Sequence, residues 1–321
     1  MDRAGTDAAR DALRAFGVER GEITPLAGGL SQGTWKVRSA DRAYVLRRHD
    51  DPRHPPAHVV SELVWLDALG DPPTLPTPVP VRRKNGDLAP VIEPGSGGRP
   101  PTLWTLLRWV DGETLGRLPN EHEAGLIGSL LAALHGRAKR WSPPPGFVRP
   151  VYDRAHFAAA TRELLLRIGD RLGERPRLAI DAAARRSADT LEQLDHDPAE
   201  GGLIHADLHG DLHGDLHGGN VVYRGEPRRA GAIDFARCGF GCWALDVAMA
   251  QHYLTDDLSD PLLDAYLAAF PLSPDARRAL PRLRFLAAVE NLAILAAVPD
   301  EAEFVVSELA PLATRAERLG R

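Results

Sequence analysis

The sequence predicts an α+β protein of two lobes, a mostly antiparallel β lobe over residues 1–110 and a helical lobe over residues 111–321. Three observations predict it. The first part of the chain carries short β-rich runs separated by turn residues. After Asp111-Gly112, apolar residues recur at helical spacing. A brief β-rich island at residues 202–233 then interrupts the helical pattern.

Each element follows from its residues. Thr6 to Phe16 reads as an amphipathic helix with Leu13 and Phe16 on one face. Ile23 to Leu26, Thr34 to Val37 and Ala43 to Arg48 read as strands. Residues 51–58 hold three prolines and are expected to be irregular. Ser61 to Leu69 is a helix by its Leu63, Leu66 and Leu69 spacing. Val79 to Arg83 and Leu88 to Ile92 are expected to pair around Asn85-Gly86, a favoured hairpin turn. Leu103 to Val110 is a last apolar strand of this lobe. Helices are expected over Glu121 to Arg137, Arg154 to Leu172, Leu178 to Leu194 and most of the chain after Trp243. The island supplies short strands at Gly202 to Ile204, Val221 to Tyr223 and Ala230 to Ile233.

Composition excludes several classes. Hydrophobic residues make up 44% and charged residues 26% of 321, a globular balance. No apolar run approaches the ~20 residues of a membrane-spanning helix. The first residues lack the apolar core of a signal peptide, so a cytoplasmic location is expected. A net charge of -5 argues against a nucleic-acid partner, which needs a concentrated basic surface. Cys238 and Cys242 form no disulfide framework. Of 39 basic residues only Lys36, Lys84 and Lys139 are lysine, the bias of a GC-rich bacterial genome.

The chemistry concentrates between His205 and Asp246. Within that stretch, His213-Gly-Asp215-Leu-His-Gly-Gly-Asn220 is an H-x-D-x4-N string, followed by two strands and Ile233-Asp234-Phe235. Phosphoryl transfer needs this set of groups. One carboxylate orients an acceptor hydroxyl, while an amide oxygen and a second carboxylate hold magnesium against the phosphates.

The string resembles the aminoglycoside phosphotransferase and choline kinase-like superfamily, which includes homoserine kinases and stress-response Ser/Thr kinases. The resemblance spans nearly the whole chain: LAGGLSQGTWKV looks like a nucleotide-covering loop, YVLRRH like an ATP-anchoring strand and LLRWVDGETL like a hinge. It implies a protein-kinase-like fold and an ATP- and Mg2+-dependent transfer to the hydroxyl of a small acceptor, an aminoglycoside, homoserine or similar amino alcohol or sugar. The acceptor pocket is expected among helices around residues 150–195 and 243–300. A stress-response protein kinase and a catalytically silent nucleotide-binding module stand as alternatives. Carried onto this chain, the resemblance makes Asp215 the base, Asn220 and Asp234 the metal ligands, and His213 and Asp246 structural. Nucleotide contacts fall to Ser31, Gln32, Gly33, Arg47 with its partner Glu62, and the hinge Arg108, Trp109 and Val110.

Two departures matter. Arg47 stands where most kinases have lysine, and its planar fork is not a copy of an ammonium. The segment DLHG occurs three times, beginning at Asp207, Asp211 and Asp215, so eight residues are added between the strand and Asn220. Asp207 abuts the strand, as the superfamily's aspartate does. Asp215 alone has an asparagine five residues on. Local spacing favours Asp215 as base, with Asp207 as the second candidate.

Overall fold

A computed structural model describes residues 3–26, 33–40, 42–50, 55–70, 75–93, 102–209 and 219–320. The chain divides into two compact units. One comprises Met1–Leu118, Trp141–Arg149 and Gly210–Ala236; the other comprises Pro119–Arg140, Pro150–His209 and Arg237–Arg321.

The first unit begins with helix α1 (Arg3–Ala15) and strands β1 (Glu22–Pro25), β2 (Thr34–Ser39) and β3 (Arg42–His49). Helix α2 (Pro56–Leu69) and strands β4 (Val91–Glu93) and β5 (Thr102–Arg108) follow. The five strands form one antiparallel sheet in the order β1-β2-β3-β5-β4. Ala9, Ala12 and Leu13 of α1, with Phe16 just after it, pack on Val37, Leu46, Trp104 and Leu106, one from β2, one from β3 and two from β5. The helical and strand periods read from the sequence thus meet in one apolar layer.

Two local expectations are corrected. Helix α2 starts at Pro56, inside the stretch expected to be irregular. Proline is tolerated at the first helical position, where its missing N–H has no partner to lose. The hairpin around Asn85-Gly86 forms its turn, with Gly86 at φ +88° and its N–H on the Arg83 carbonyl at 2.8 Å. Beyond the bond from Arg83 N–H to the Asp87 carbonyl (3.0 Å), its arms attach to β5 instead of each other. Val81 N–H reaches Leu106 O and Arg108 N–H reaches Val79 O, both at 2.8 Å.

Farther along the chain come α3 (Glu121–Ala138), α4 (Arg154–Ile168), α5 (Glu174–Asp195) and β6 (Gly201–Ile204). Strands β7 (Val221–Arg224), β8 (Arg229–Ala232) and β9 (Gly239–Cys242) precede α6 (Trp243–His252), α7 (Asp256–Ala269), α8 (Pro274–Leu295) and α9 (Ala302–Leu319). The β7–β8 hairpin belongs to the first unit, where Glu113 and Tyr223 exchange backbone bonds at 3.0 and 2.9 Å. The other elements build the second unit. Its core joins Leu164 and Ile168 of α4, Ile180 of α5, Phe285 and Val289 of α8, and Leu309 of α9. Strand β9, which the sequence did not announce, pairs antiparallel with β6. Its Gly-Phe-Gly-Cys composition carries no strand signal. Among the described residues no helix is long and apolar enough to cross a membrane.

Helix α3 starts on a capping box, in which Asn120 and Glu123 exchange side-chain-to-backbone bonds of 2.9 Å. It then packs so closely on α7 that a Cβ at Gly128 would stand 2.0 Å from the Leu262 carbonyl oxygen. Gly128→Ala is therefore expected to destabilise the protein by about 1–3 kcal/mol in urea titrations, the cost of forcing packed backbones apart.

His252 at the end of α6 generates a pH dependence. Its Nδ1 is buried with no hydrogen-bond partner among the described residues. Burial, with Arg315 and Arg284 adding to it, pushes the imidazole down to about 3. In the unfolded chain it titrates near ~6.5. Between those values the unfolded state binds a proton that the folded state refuses, so stability falls as pH drops through this window. His252→Gln should narrow the difference in urea midpoint between pH 7 and pH 4.5.

Candidate active site

The segment His205-Ala206-Asp207 leaves the end of β6, whose Leu203 and Ile204 are buried. It is held by Asp246 in the first turn of α6, a favourable place for a carboxylate beside a helix N-terminus. One Asp246 oxygen accepts the His205 N–H and the other the Ala206 N–H, each at 2.8 Å. His135 Nε2 of α3 lies 2.9 Å from the same carboxylate, and its Nδ1 lies 2.8 Å from the Tyr266 hydroxyl of α7. Burial opposes ionisation of Asp246, but the bonds from His135 and His205 outweigh it and hold the carboxyl below its usual range. Ala206 adopts φ +61°. A non-glycine residue there costs roughly 1–3 kcal/mol, which the Asp246 bonds to its own N–H and to that of His205 offset. The strain turns the chain sharply before Asp207. Asp246 therefore has the structural role expected of it.

Asp207 is partly exposed, and its Oδ1 accepts a 2.8 Å bond from Arg237. The other Arg237 nitrogen lies 3.1 Å from Glu290 Oε1 of α8, and His156 Nε2 of α4 lies 2.8 Å from that same oxygen. Neither Arg237, Glu290 nor His156 belonged to the expected set. Nothing in their local sequence marks them, because the cluster exists only once α4, α8 and the segment before β9 are packed.

Asn220 and Asp234 flank one end of the β7–β8 hairpin in the first unit. The register pairs Val221 with Ala232, and the Ile233 N–H continues it by donating to the Asn220 carbonyl at 2.9 Å. The two residues just outside the ladder are thereby brought to the same end. Asp234 leaves β8 with φ +57°, a conformation that aspartate tolerates better than most residues. Its carboxylate is 42% exposed. An amide oxygen and a carboxylate fit magnesium, a hard cation that keeps several waters. Among the described residues no group of three or more His, Cys, Asp or Glu is placed to hold a metal.

Arg47 of β3 lies 2.9 Å from Asp234 Oδ1 and 3.6 Å from Glu62 Oε1 of α2. The expected Arg47–Glu62 pair is present, and Asp234 joins it. Burial pushes the Glu62 carboxyl up. Burial also works against the charge on Arg47, but Asp234 and Glu62 together raise its affinity for the proton. Arg149, buried and absent from the expected set, ties this region together. It donates to His58 O at 2.8 Å, Phe235 O at 3.2 Å and Ala236 O at 2.6 Å.

The remaining expected residues are placed as follows. Gly33 sits before β2 with φ +116°, its carbonyl accepting the Arg48 N–H at 2.8 Å. Arg108 ends β5, the Trp109 N–H donates to Ala43 O at 3.0 Å, and Val110 is buried. Lys36 Nζ stands 3.6 Å above the Trp109 ring, a cation–π contact. Ser31, Gln32, His213 and Asp215 lie outside the described residues.

The chain matches the sequence model of the phosphotransferase enzyme family over residues 22–211 and 212–304. The break between these segments falls inside the DLHG repeat. No curated protein sequence matches the chain at a significant level. Among solved structures, the chain is similar to a microcompartment-associated aminopropanol kinase at 24% identity and TM-score 0.81, covering 98% of this chain and 97% of that one. It is similar to an amicoumacin kinase, solved in complex with AMP-PNP, Ca2+ and Ami, at 15% identity and TM-score 0.72, with 98% and 96% covered. A choline kinase from Cryptosporidium parvum Iowa II is similar at 13% identity and TM-score 0.65, with 93% and 90% covered. The fold is therefore the two-lobed kinase-like α+β fold expected from the sequence.

The buried Asp246 network leads to a direct expectation. Asp246→Asn replaces one acceptor oxygen with a donor facing an N–H. It should cost about 3 kcal/mol or more in urea stability, because a buried, fully bonded charge is lost from one side only.

Proposed function

Because the chain belongs to the phosphotransferase enzyme family, we propose that it moves the γ-phosphoryl group of ATP to a hydroxyl of a small molecule, with Asp207 as the base. The observation that carries the reading is the β7–β8 hairpin. It gathers Asn220 and Asp234 at one end, beside Arg47 on its Glu62 support. This chemistry does not require a protein acceptor, and the similar solved structures bear names of kinases that act on small molecules.

Asn220 and Asp234 are the residues to hold magnesium, which when bound supplies positive charge to the β- and γ-phosphates. Arg47 gives the nucleotide phosphates a second, permanent cation, positioned by Glu62. Asp207 orients the acceptor hydroxyl. It takes the hydroxyl proton as the new O–P bond forms and the bond from the γ-phosphorus to the bridging oxygen breaks. ADP leaves with that electron pair.

Asp207 is preferred over Asp215 on a structural ground. The Asp246 clamp and the strained Ala206 fix the backbone immediately before Asp207. Catalysis by positioning depends on such restraint. Removing residues 211–218 from the sequence would also leave His205-Ala-Asp207-Leu-His-Gly-Gly-Asn220, with the H-x-D-x4-N spacing intact.

The test is an ATP-turnover assay against a panel of amino alcohols, sugars and aminoglycosides. Asp207→Asn is expected to lower turnover by about 10²–10⁴-fold, the usual contribution of a general base. Asp215→Asn should keep it. The reverse result would move the base to Asp215, and turnover retained by both variants would refute the mechanism. Asp234→Asn should abolish the magnesium-dependent part of ATP binding, read as the loss of an ATP-Mg thermal shift.

A further inference from the structure

We propose that Glu290 sets the strength of the base by sharing one guanidinium, that of Arg237, with Asp207. The proposal rests on the reading of Asp207 as the base.

Arg237 lies between two carboxylates, with one nitrogen 2.8 Å from Asp207 Oδ1 and the other 3.1 Å from Glu290 Oε1. Its fork can hold two acids in fixed directions, which a lysine ammonium does less well. Among the described residues, the other groups facing this cluster include His156 from α4, Tyr152 from the segment before α4, and Tyr253 after α6. His156 donates to or accepts from Glu290 Oε1 at 2.8 Å, and the Tyr152 hydroxyl donates to the Arg237 carbonyl at 2.6 Å. Burial pushes both phenols well up, so they stay neutral. Among these described groups the formal charges are two acids against one guanidinium, with His156 alongside.

A base must be held in place without being weakened. A guanidinium in contact with Asp207 alone would orient it but also favour its ionised form, making it a poorer proton acceptor. A second anion on the same guanidinium reduces that effect and leaves the orienting bond intact. Glu290 is built to be that anion. Its side chain is only 6% exposed. Burial opposes its charge, but Arg237 and His156 outweigh burial and hold the carboxyl below its usual range.

The structure also supplies a clean probe. Glu290 Oε2 is buried with no hydrogen-bond partner among the described residues, whereas Oε1 takes both bonds. In Glu290→Gln the amide nitrogen can take the place of Oε2. The charge is removed and no hydrogen bond is broken.

The experiment measures kcat and KM across pH for E290Q, E290D and R237Q, with the ATP-Mg thermal shift as a check on folding. E290Q is expected to lower kcat about tenfold, leave KM for ATP within twofold, and move the acid limb of the kcat profile down by about one pH unit. R237Q should move that limb the other way, to higher pH. E290D keeps the charge, so its limb should stay near that of the wild type even if packing changes. Packing loss alone would move stability in all three variants without opposite pH shifts. An unshifted limb in E290Q, or shifts of the same sign in E290Q and R237Q, would overturn the proposal. Should E290Q lack a cooperative melt, R237Q decides by itself, and an unshifted limb there refutes the idea. If Asp207→Asn retains turnover, the base assignment fails first. If Asp207→Asn is inactive while E290Q behaves as wild type, only the role of Glu290 is lost.

Discussion

The Asp246 carboxylate is the constraint on which the second unit's chemistry depends. It is fully buried, and a charge in that position costs several kcal/mol unless its bonds are complete. Here two backbone N–H groups and an imidazole complete them. The consequence is a fixed backbone path at His205 and Ala206. Ala206 stays in a left-handed conformation only because both its own N–H and that of His205 are claimed. His135 and Tyr266 extend the restraint into α3 and α7, so packing far from Asp207 fixes where its carboxylate emerges.

The first unit reaches a comparable result by strand pairing. A two-stranded ladder ends at Val221 and Ala232, and the next residues, Asn220 and Ile233, share one more bond. Asp234 follows directly. Arg47 then lies against Asp234 and Glu62 at once. The scarcity of lysine in this chain carries a structural meaning at this point, because a guanidinium can bridge two acids where an ammonium is a point charge.

Much of this was legible along the chain. The strands before residue 50 and the helices after residue 120 stood within a few residues of their expected bounds, because each has a complete apolar period. The Arg47–Glu62 pair was readable from the family resemblance, and the two side chains do meet. The Asn85-Gly86 hairpin was half right. Its turn is local chemistry and formed, whereas its arms found a better partner in β5. Strand β9 had no signal, since a Gly-Phe-Gly-Cys run becomes a strand only when β6 is there to bond it.

The sequence by itself determined the reaction class and the two-part α+β plan. These depend on residue type and short spacing, which a linear chain displays directly. The triple DLHG repeat marks the limit of that kind of reading, because spacing offers both Asp207 and Asp215 as candidates. Only the tertiary structure showed that Asp207 follows a clamped, strained turn, and that Arg237 joins it to Glu290, which His156 contacts in turn. Those contacts join residues from separate helices and loops. Their energies come from burial and from charges brought together by packing, and neither exists until the helices have met.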